Sequence, residues 1–109
     1  MADSALFELT DDNFKTAVAE GVWLVLFWDY TCGQCKRLAP LLEKAAAGFD
    51  GRARFGRLNL SDAPRTNDEM EIHFLPFTVI FRNGTKVIEI IGAKPVEQYI
   101  QAVEDALRA

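Results

Sequence analysis

The residues best suited to chemistry in this chain are its only two cysteines, Cys32 and Cys35, which are separated by two residues. A structural disulfide between them would close too short a loop to restrain the unfolded chain much, so cross-linking alone does not explain the pair. In a reducing compartment, cysteines at this spacing are more often catalytic or metal-binding. The spacing therefore favours thiol–disulfide exchange, in which one thiolate attacks a disulfide and the second releases the product.

Two other uses of the cysteines are open at this point. A structural zinc site normally has four protein ligands, and this chain offers two thiols and one distant His73. Two chains would have to pool their cysteines to hold zinc or an iron–sulfur cluster. The pair could also be two small buried apolar side chains with no chemical role. We expect no metal and no cofactor apart from the redox-active disulfide itself.

The sequence around the cysteines indicates how they would be positioned. Residues 22–28 form an unbroken apolar run, typical of a central strand buried on both faces. Residues 35–49 carry apolar side chains at helical spacing, with Pro40 inside the helix. Cys32 would lie at the start of that helix, where free N–H groups and the helix dipole favour a thiolate. Cys32 is thus the predicted nucleophile and Cys35, one turn further and more shielded, the predicted resolving thiol.

The rest of the chain predicts a sheet covered by helices on both faces. Strands are expected at 5–9, 54–60, 77–81 and 86–91, and helices up to about 18, from 61 to about 72, and from 95 onward. Thr10 is expected to cap the first helix, Ser61 and Asp62 the third, and Asn83-Gly84 to form a tight hairpin turn. The order predicts one α/β domain over residues 1–109, a three-layer α/β/α sandwich around a mixed five-stranded sheet.

Composition narrows the range of partners. The chain of 109 residues is 50% hydrophobic, enough for one core, and has 16 acidic against 12 basic residues. The basic residues are scattered, which argues against nucleic acid or an anionic membrane as the main partner. No apolar run approaches the roughly 20 residues of a membrane span, and the N-terminus lacks a signal pattern, so we expect a cytoplasmic protein.

Several segments together resemble the thioredoxin family over essentially the whole chain. They are Phe27-Trp28, Cys32-Gly33-Gln34-Cys35-Lys36, Ala39-Pro40, Leu58-Asn59-Leu60, Leu75-Pro76, Phe81-Arg82-Asn83-Gly84 and Gly92-Ala93. The resemblance implies the thioredoxin fold and thiol–disulfide oxidoreductase activity on proteins. It also implies a monomer that receives electrons from a reductase.

The resemblance further implies a substrate groove beside the cysteines. Pro76 would follow a cis peptide bond and face the cysteine pair, and the backbone of Leu75 would pair with an extended substrate segment. The groove residues are then Thr31, Leu75, Pro76, Gly92 and Ala93.

Three positions depart from the family pattern. Gln34 stands where thioredoxins usually have proline, Thr31 where they have tryptophan, and Leu26 where they have a buried aspartate. The backbone N–H that Gln34 restores could stabilise the Cys32 thiolate and make the couple less reducing, whereas the carboxylate of Asp29 would oppose this if it faced the sulfur.

The loss of the aspartate at Leu26 affects the resolving cysteine. The family uses that carboxylate to manage the proton of the second thiol, so resolution by Cys35 is expected to be slow or to use water, Asp29 or Tyr30. Arg57 would then lack the partner that the family supplies. These departures, with bulky Phe74 and Phe77 beside Pro76, support an alternative function: a thioredoxin-fold binding or chaperone-like module with weak redox activity. His73 is expected to be a surface residue.

Overall fold

The computed structural model describes residues 6–109, and its elements follow the predicted order. The strands are β1 (Leu6–Leu9), β2 (Val22–Trp28), β3 (Arg54–Asn59), β4 (Phe77–Arg82) and β5 (Thr85–Ile91). The helices are α1 (Phe14–Val18), α2 (Gly33–Ala47), α3 (Pro64–Met70) and α4 (Val96–Arg108), and a 3₁₀ turn at Leu60–Asp62 precedes α3. Ala5, which the sequence assigns to the first strand, lies outside the described residues.

The apolar run at 22–28 forms the central strand, as predicted. The strand order is β1-β3-β2-β4-β5. β1 and β2 pair with β3 in parallel, whereas β4 pairs antiparallel with both β2 and β5. Since β2 has a neighbour on each side and helices over each face, its residues from Val22 to Phe27 are all buried.

Each face of the sheet has its own apolar core, which confirms the three layers. On one face Leu24 and Leu26 pack with Leu38 and Leu42 of α2 and Val103 of α4. On the other face Phe27 and Val25 pack with Phe14 and Val18 of α1. Burying one such side chain contributes roughly 1.5–3 kcal/mol before conformational entropy is counted. These contacts fix the position of α2 against the end of β2, where the cysteines lie.

The Asn83-Gly84 turn has the backbone that the sequence predicts. Both residues have positive φ, 51° and 83°, as a tight type I′ hairpin requires. Asn83 also bonds to the start of β2: its N–H donates to the Gly21 carbonyl, and its Oδ1 accepts from the Gly21 N–H, both at 2.9 Å. The hairpin therefore anchors the end of the sheet opposite the cysteines.

The predicted helix caps are wrong at two helices. α1 begins at Phe14, because Thr10 Oγ1 accepts the N–H groups of Asp12 and Asn13 in a turn that precedes the helix. Ser61 and Asp62 lie in the 3₁₀ turn and do not cap α3.

The cap of α3 comes instead from Asp11, far away in the chain. Its carboxylate accepts the Arg65 N–H at 3.1 Å, the Thr66 N–H at 2.8 Å and the Thr66 hydroxyl at 2.7 Å. Local sequence could not reveal this cap because it depends on tertiary packing.

Candidate functional site

The two cysteines lie where β2 ends and α2 begins. Cys32 is the N-cap residue of α2, with an extended backbone, and its Sγ accepts a hydrogen bond from the Cys35 N–H at 3.1 Å. The two sulfurs form a disulfide, with the Cα atoms 5.3 Å apart. The predicted position of the pair at a strand–helix junction is confirmed.

The two sulfurs differ in their access to solvent. Cys32 is half-buried, whereas Cys35 is only 1% exposed. The Cys35 Sγ lies 3.9 Å from the carbonyl oxygen of Phe27, against the end of β2. A large disulfide substrate can therefore approach Cys32 but not Cys35.

The residues expected in a groove gather at the same end of the sheet. The peptide bond between Leu75 and Pro76 is cis, as the resemblance implies. Pro76 precedes β4, whose first residue, Phe77, pairs with Phe27 beside the cysteines. The Gly92 N–H donates to the Pro76 carbonyl at 2.8 Å. The structure thus places Pro76 and Gly92 together, with Leu75 and Ala93 as their chain neighbours.

A buried tyrosine of α4 holds the chain that carries Gly92. The Tyr99 hydroxyl donates to the Gly92 carbonyl at 3.1 Å and accepts from the Lys94 N–H at 3.2 Å. Burial raises the pKa of Tyr99 above 10.0, and the hydrogen bond from the Lys94 N–H opposes that rise. The sequence assigned Tyr99 only to the apolar stripe of α4; the hydroxyl on that stripe is the one signal that could have indicated a second role.

Asp29 is bound within its own loop. Its Oδ1 accepts from the Thr31 N–H at 2.9 Å and from the Thr31 hydroxyl at 2.7 Å, while its carbonyl accepts from the Cys32 N–H at 3.2 Å. Thr31, in place of a bulky tryptophan, therefore helps to shape the turn that leads into Cys32.

Arg57 lacks the family's carboxylate at position 26, as predicted, but it has another partner. The parallel register of β1 and β3 places Glu8 beside Arg57, and the two side chains form an ion pair. The Arg57 guanidinium also lies over the Trp28 ring, 5.5 Å from its centroid. The sequence did not reveal Glu8 as the replacement, because that pairing depends on the register of the first strand.

The two phenylalanines beside Pro76 have different environments. Phe77 is 9% exposed and belongs to the core with Phe27, the ring centroids being 6.1 Å apart. Phe74 is 68% exposed and adds apolar surface beside Leu75. His73 is exposed, as predicted.

Gln34 and Gly33 occupy the exposed first turn of α2. The N–H that reaches Cys32 Sγ belongs to Cys35, not to Gln34. The effect of Gln34 on the Cys32 thiol thus stays a prediction.

Across residues 6–109, no three His, Cys, Asp or Glu side chains are grouped so that they could bind a metal ion. Within that same range, none of the helices has the length and apolar character needed to cross a bilayer.

Comparison with known proteins agrees with the geometry of the site. The family model described as Thioredoxin matches residues 5–105. A thioredoxin of Staphylococcus saprophyticus is 35% identical over 103 residues, which cover 94% of this chain and 99% of the relative. Thioredoxins of Staphylococcus haemolyticus and Staphylococcus aureus are 34% identical over the same share. With an accessible sulfur at a helix start and a shielded sulfur bonded to it, this chain belongs to the thioredoxin family and is a thiol–disulfide oxidoreductase.

Proposed function

We propose that the chain exchanges electrons with disulfides of other proteins, with Cys32 as the nucleophile and Cys35 as the resolving thiol. The observation that supports this assignment is the difference in access, since Cys32 caps α2 at the surface and Cys35 is 1% exposed. A thiolate at a helix N-terminus is stabilised by the dipole and by the N–H of Cys35.

The reaction proceeds in two balanced steps. The Cys32 thiolate attacks one sulfur of the partner's disulfide; a Cys32–partner bond forms, and the electron pair leaves on the partner's other sulfur, which takes a proton from water. Cys35 then loses its proton and attacks Cys32 Sγ. The Cys32–Cys35 bond forms, and the bond between Cys32 and the partner breaks with its electron pair on the partner's sulfur. That sulfur takes up a proton from water, and the partner has thereby gained two electrons.

The substrate groove in this proposal consists of Thr31, Leu75, Pro76, Gly92 and Ala93. The Leu75 backbone next to the cis bond is available for an extended peptide, which would add as a short strand beside Cys32. The exposed ring of Phe74 favours partners with an apolar side chain near their disulfide.

The cellular setting is part of the proposal. We infer a single domain over residues 1–109 that acts as a monomer in the cytoplasm, without metal or cofactor, and is reduced by a donor reductase.

Single-cysteine variants test the two roles. Cys35→Ser should form a stable mixed disulfide with a protein substrate whose disulfides are intact, such as insulin, because no second thiol then displaces the partner. Cys32→Ser should form none, because Cys35 cannot reach the partner. Non-reducing electrophoresis with mass spectrometry measures both. Adduct formation by Cys32→Ser at the rate of Cys35→Ser would reverse the assignment.

The second candidate is a binding module with weak redox activity. Leu26, 1% exposed beside Cys35, and the exposed Phe74 favour it. In that case the wild type would reduce insulin no faster than a variant with both cysteines replaced by serine, while binding its partner as well as before.

A further inference from the structure

The proton of Cys35 needs a way out of the protein. A thiol with a free pKa of about 8.5 is mostly protonated at neutral pH, and only the thiolate attacks. The side chain is 1% exposed, and the neighbour of its sulfur at 3.9 Å is the Phe27 carbonyl, which is not a base. Leu26, on the strand beneath, offers no acceptor.

A cavity beside Cys35 provides a path. It has a volume of about 290 Å³ and lies between α2 and the ends of β2 and β3. That space exceeds the roughly 30 Å³ that one water molecule occupies, so several waters fit. Polar side chains line it together with Cys35, and they are Tyr30, Lys36, Glu43 and Arg57.

Of these polar groups, Glu43 is the one free to accept a proton. Arg57 and Lys36 are cations, and Arg57 is paired with Glu8. The Tyr30 hydroxyl donates to Asp62 at 3.4 Å. Glu43 is half-buried, is the one carboxylate lining this cavity, and forms no ion pair within residues 6–109.

We propose that Glu43 accepts the Cys35 proton through water in this cavity during the resolving step. The proposal rests on the proposed role of Cys35 as resolving thiol. Glu43 follows Cys35 by two helical turns, about 12 Å along α2, so water must bridge them. Because it acts through water and touches neither sulfur, Glu43 is a positioning residue.

The Cys35 proton passes to a cavity water, and a proton from that water chain reaches the Glu43 carboxylate and then bulk solvent. The electron pair left on Cys35 Sγ forms the bond to Cys32 Sγ, and the bond from Cys32 to the partner breaks with its pair on the partner's sulfur. The positive charges of Lys36 and Arg57, which line the same cavity, favour the transient thiolate, whereas the charge of Glu43 opposes it until the proton arrives.

Stopped-flow reaction of the reduced protein with one equivalent of an aromatic disulfide, 5,5′-dithiobis(2-nitrobenzoate), separates the steps. The first coloured thiolate is released when Cys32 attacks, and the second when Cys35 resolves the adduct. Glu43→Gln should leave the first phase unchanged and slow the second about ten-fold at neutral and mildly acidic pH. The difference should shrink at alkaline pH, where hydroxide removes the proton.

Two controls make the test specific. Glu20→Gln removes the same charge at the opposite end of the sheet and should match the wild type in both phases. Glu43→Ala should recover its second phase in proportion to added formate, which a merely structural role would not produce. A second phase equal to wild type in Glu43→Gln, or a loss that neither pH nor formate changes, would overturn the role of Glu43. A second phase of wild-type rate in Cys35→Ser would instead overturn the role of Cys35.

Discussion

At the scale of single residues, Tyr99 connects the helical layer to the proposed groove. Its hydroxyl is shared between the Gly92 carbonyl and the Lys94 N–H, and its ring is fully buried. A hydroxyl that bridges two backbone groups in an otherwise apolar core is costly to remove, because both groups lose their partner. The Tyr99 hydroxyl thus helps to hold Gly92 beside Pro76, together with the bond from the Gly92 N–H to the Pro76 carbonyl.

We expect Tyr99→Phe to lower the free energy of unfolding by about 1–3 kcal/mol, since the two backbone groups are left unsatisfied. The KM for a protein disulfide should rise while the rate of the Cys32 attack on a small disulfide is unchanged. Urea titration and insulin reduction measure these effects. Tyr30→Phe, which removes an exposed hydroxyl, is the control for stability; equal losses in both variants would contradict the role of Tyr99.

Alkaline pH should have a related effect. The folded-state pKa of Tyr99 is raised above 10.0 by burial, so the neutral phenol is favoured by folding. This stabilisation is present below the unfolded-state pKa and is lost as the pH rises through the folded-state value.

At the scale of elements, Asp11 joins the loop before α1 to the start of α3. Burial alone would raise the pKa of this carboxyl, but the bonds from Thr66 and Arg65, with the charge of Arg65, outweigh it and hold the pKa below 3.8. The ionised carboxylate is therefore the form that caps the helix.

Asp11→Asn should lower Tm at neutral pH, because the amide is a weaker acceptor for the N–H groups of α3. Since the folded-state pKa is depressed, the contribution of the charge is present above the unfolded-state pKa and is lost as the pH falls through the folded-state value. Thermal unfolding of the wild type and of Asp11→Asn should be measured as the pH falls through the folded-state pKa of Asp11. The difference in Tm between them should disappear over this range. Asp12→Asn, which loses one exposed contact with Arg65, is the matched control; a constant difference at every pH would contradict the prediction.

These elements also show what sequence could and could not predict. The strand at 22–28, the Asn83-Gly84 turn and the cysteines at a helix start follow from residues that are neighbours in the chain. The Asp11 cap, the Glu8–Arg57 pair and the Tyr99 bonds join residues from different elements, so they depend on strand register and helix packing. The reactive sulfurs were therefore predictable, whereas these contacts between elements were not.

At the scale of the whole molecule, β5 is an edge strand with apolar side chains on its exposed face. Val87 and Ile91 are 43% and 53% exposed, and Glu89 lies between them on the same face of the strand. Charged side chains on an edge strand oppose pairing with a second copy. Glu89, which forms an ion pair with Lys86 at 2.6 Å, interrupts an otherwise continuous apolar strip.

We expect Glu89→Val to promote self-association, because it joins Val87 and Ile91 into one apolar strip and removes a charge. Light scattering and size-exclusion chromatography at rising concentration measure this, and the wild type should stay monomeric. Glu97→Val, on the exposed first turn of α4, makes the same change away from the edge. If both variants associate equally, hydrophobicity in general and not the edge of the sheet would be the cause.

The cap of α2 bears on how much the backbone must change between the two redox states. In the oxidised chain the Cys32 sulfur already accepts the Cys35 N–H at 3.1 Å. A thiolate is a stronger acceptor than a disulfide sulfur, so reduction can retain this bond and leave the helix start in place. Reduction and oxidation would then require no change in the backbone at the start of α2. We therefore expect a reversible electron carrier. Whether its cysteine pair is reduced or oxidised would depend on the relative abundance of reduced and oxidised partners.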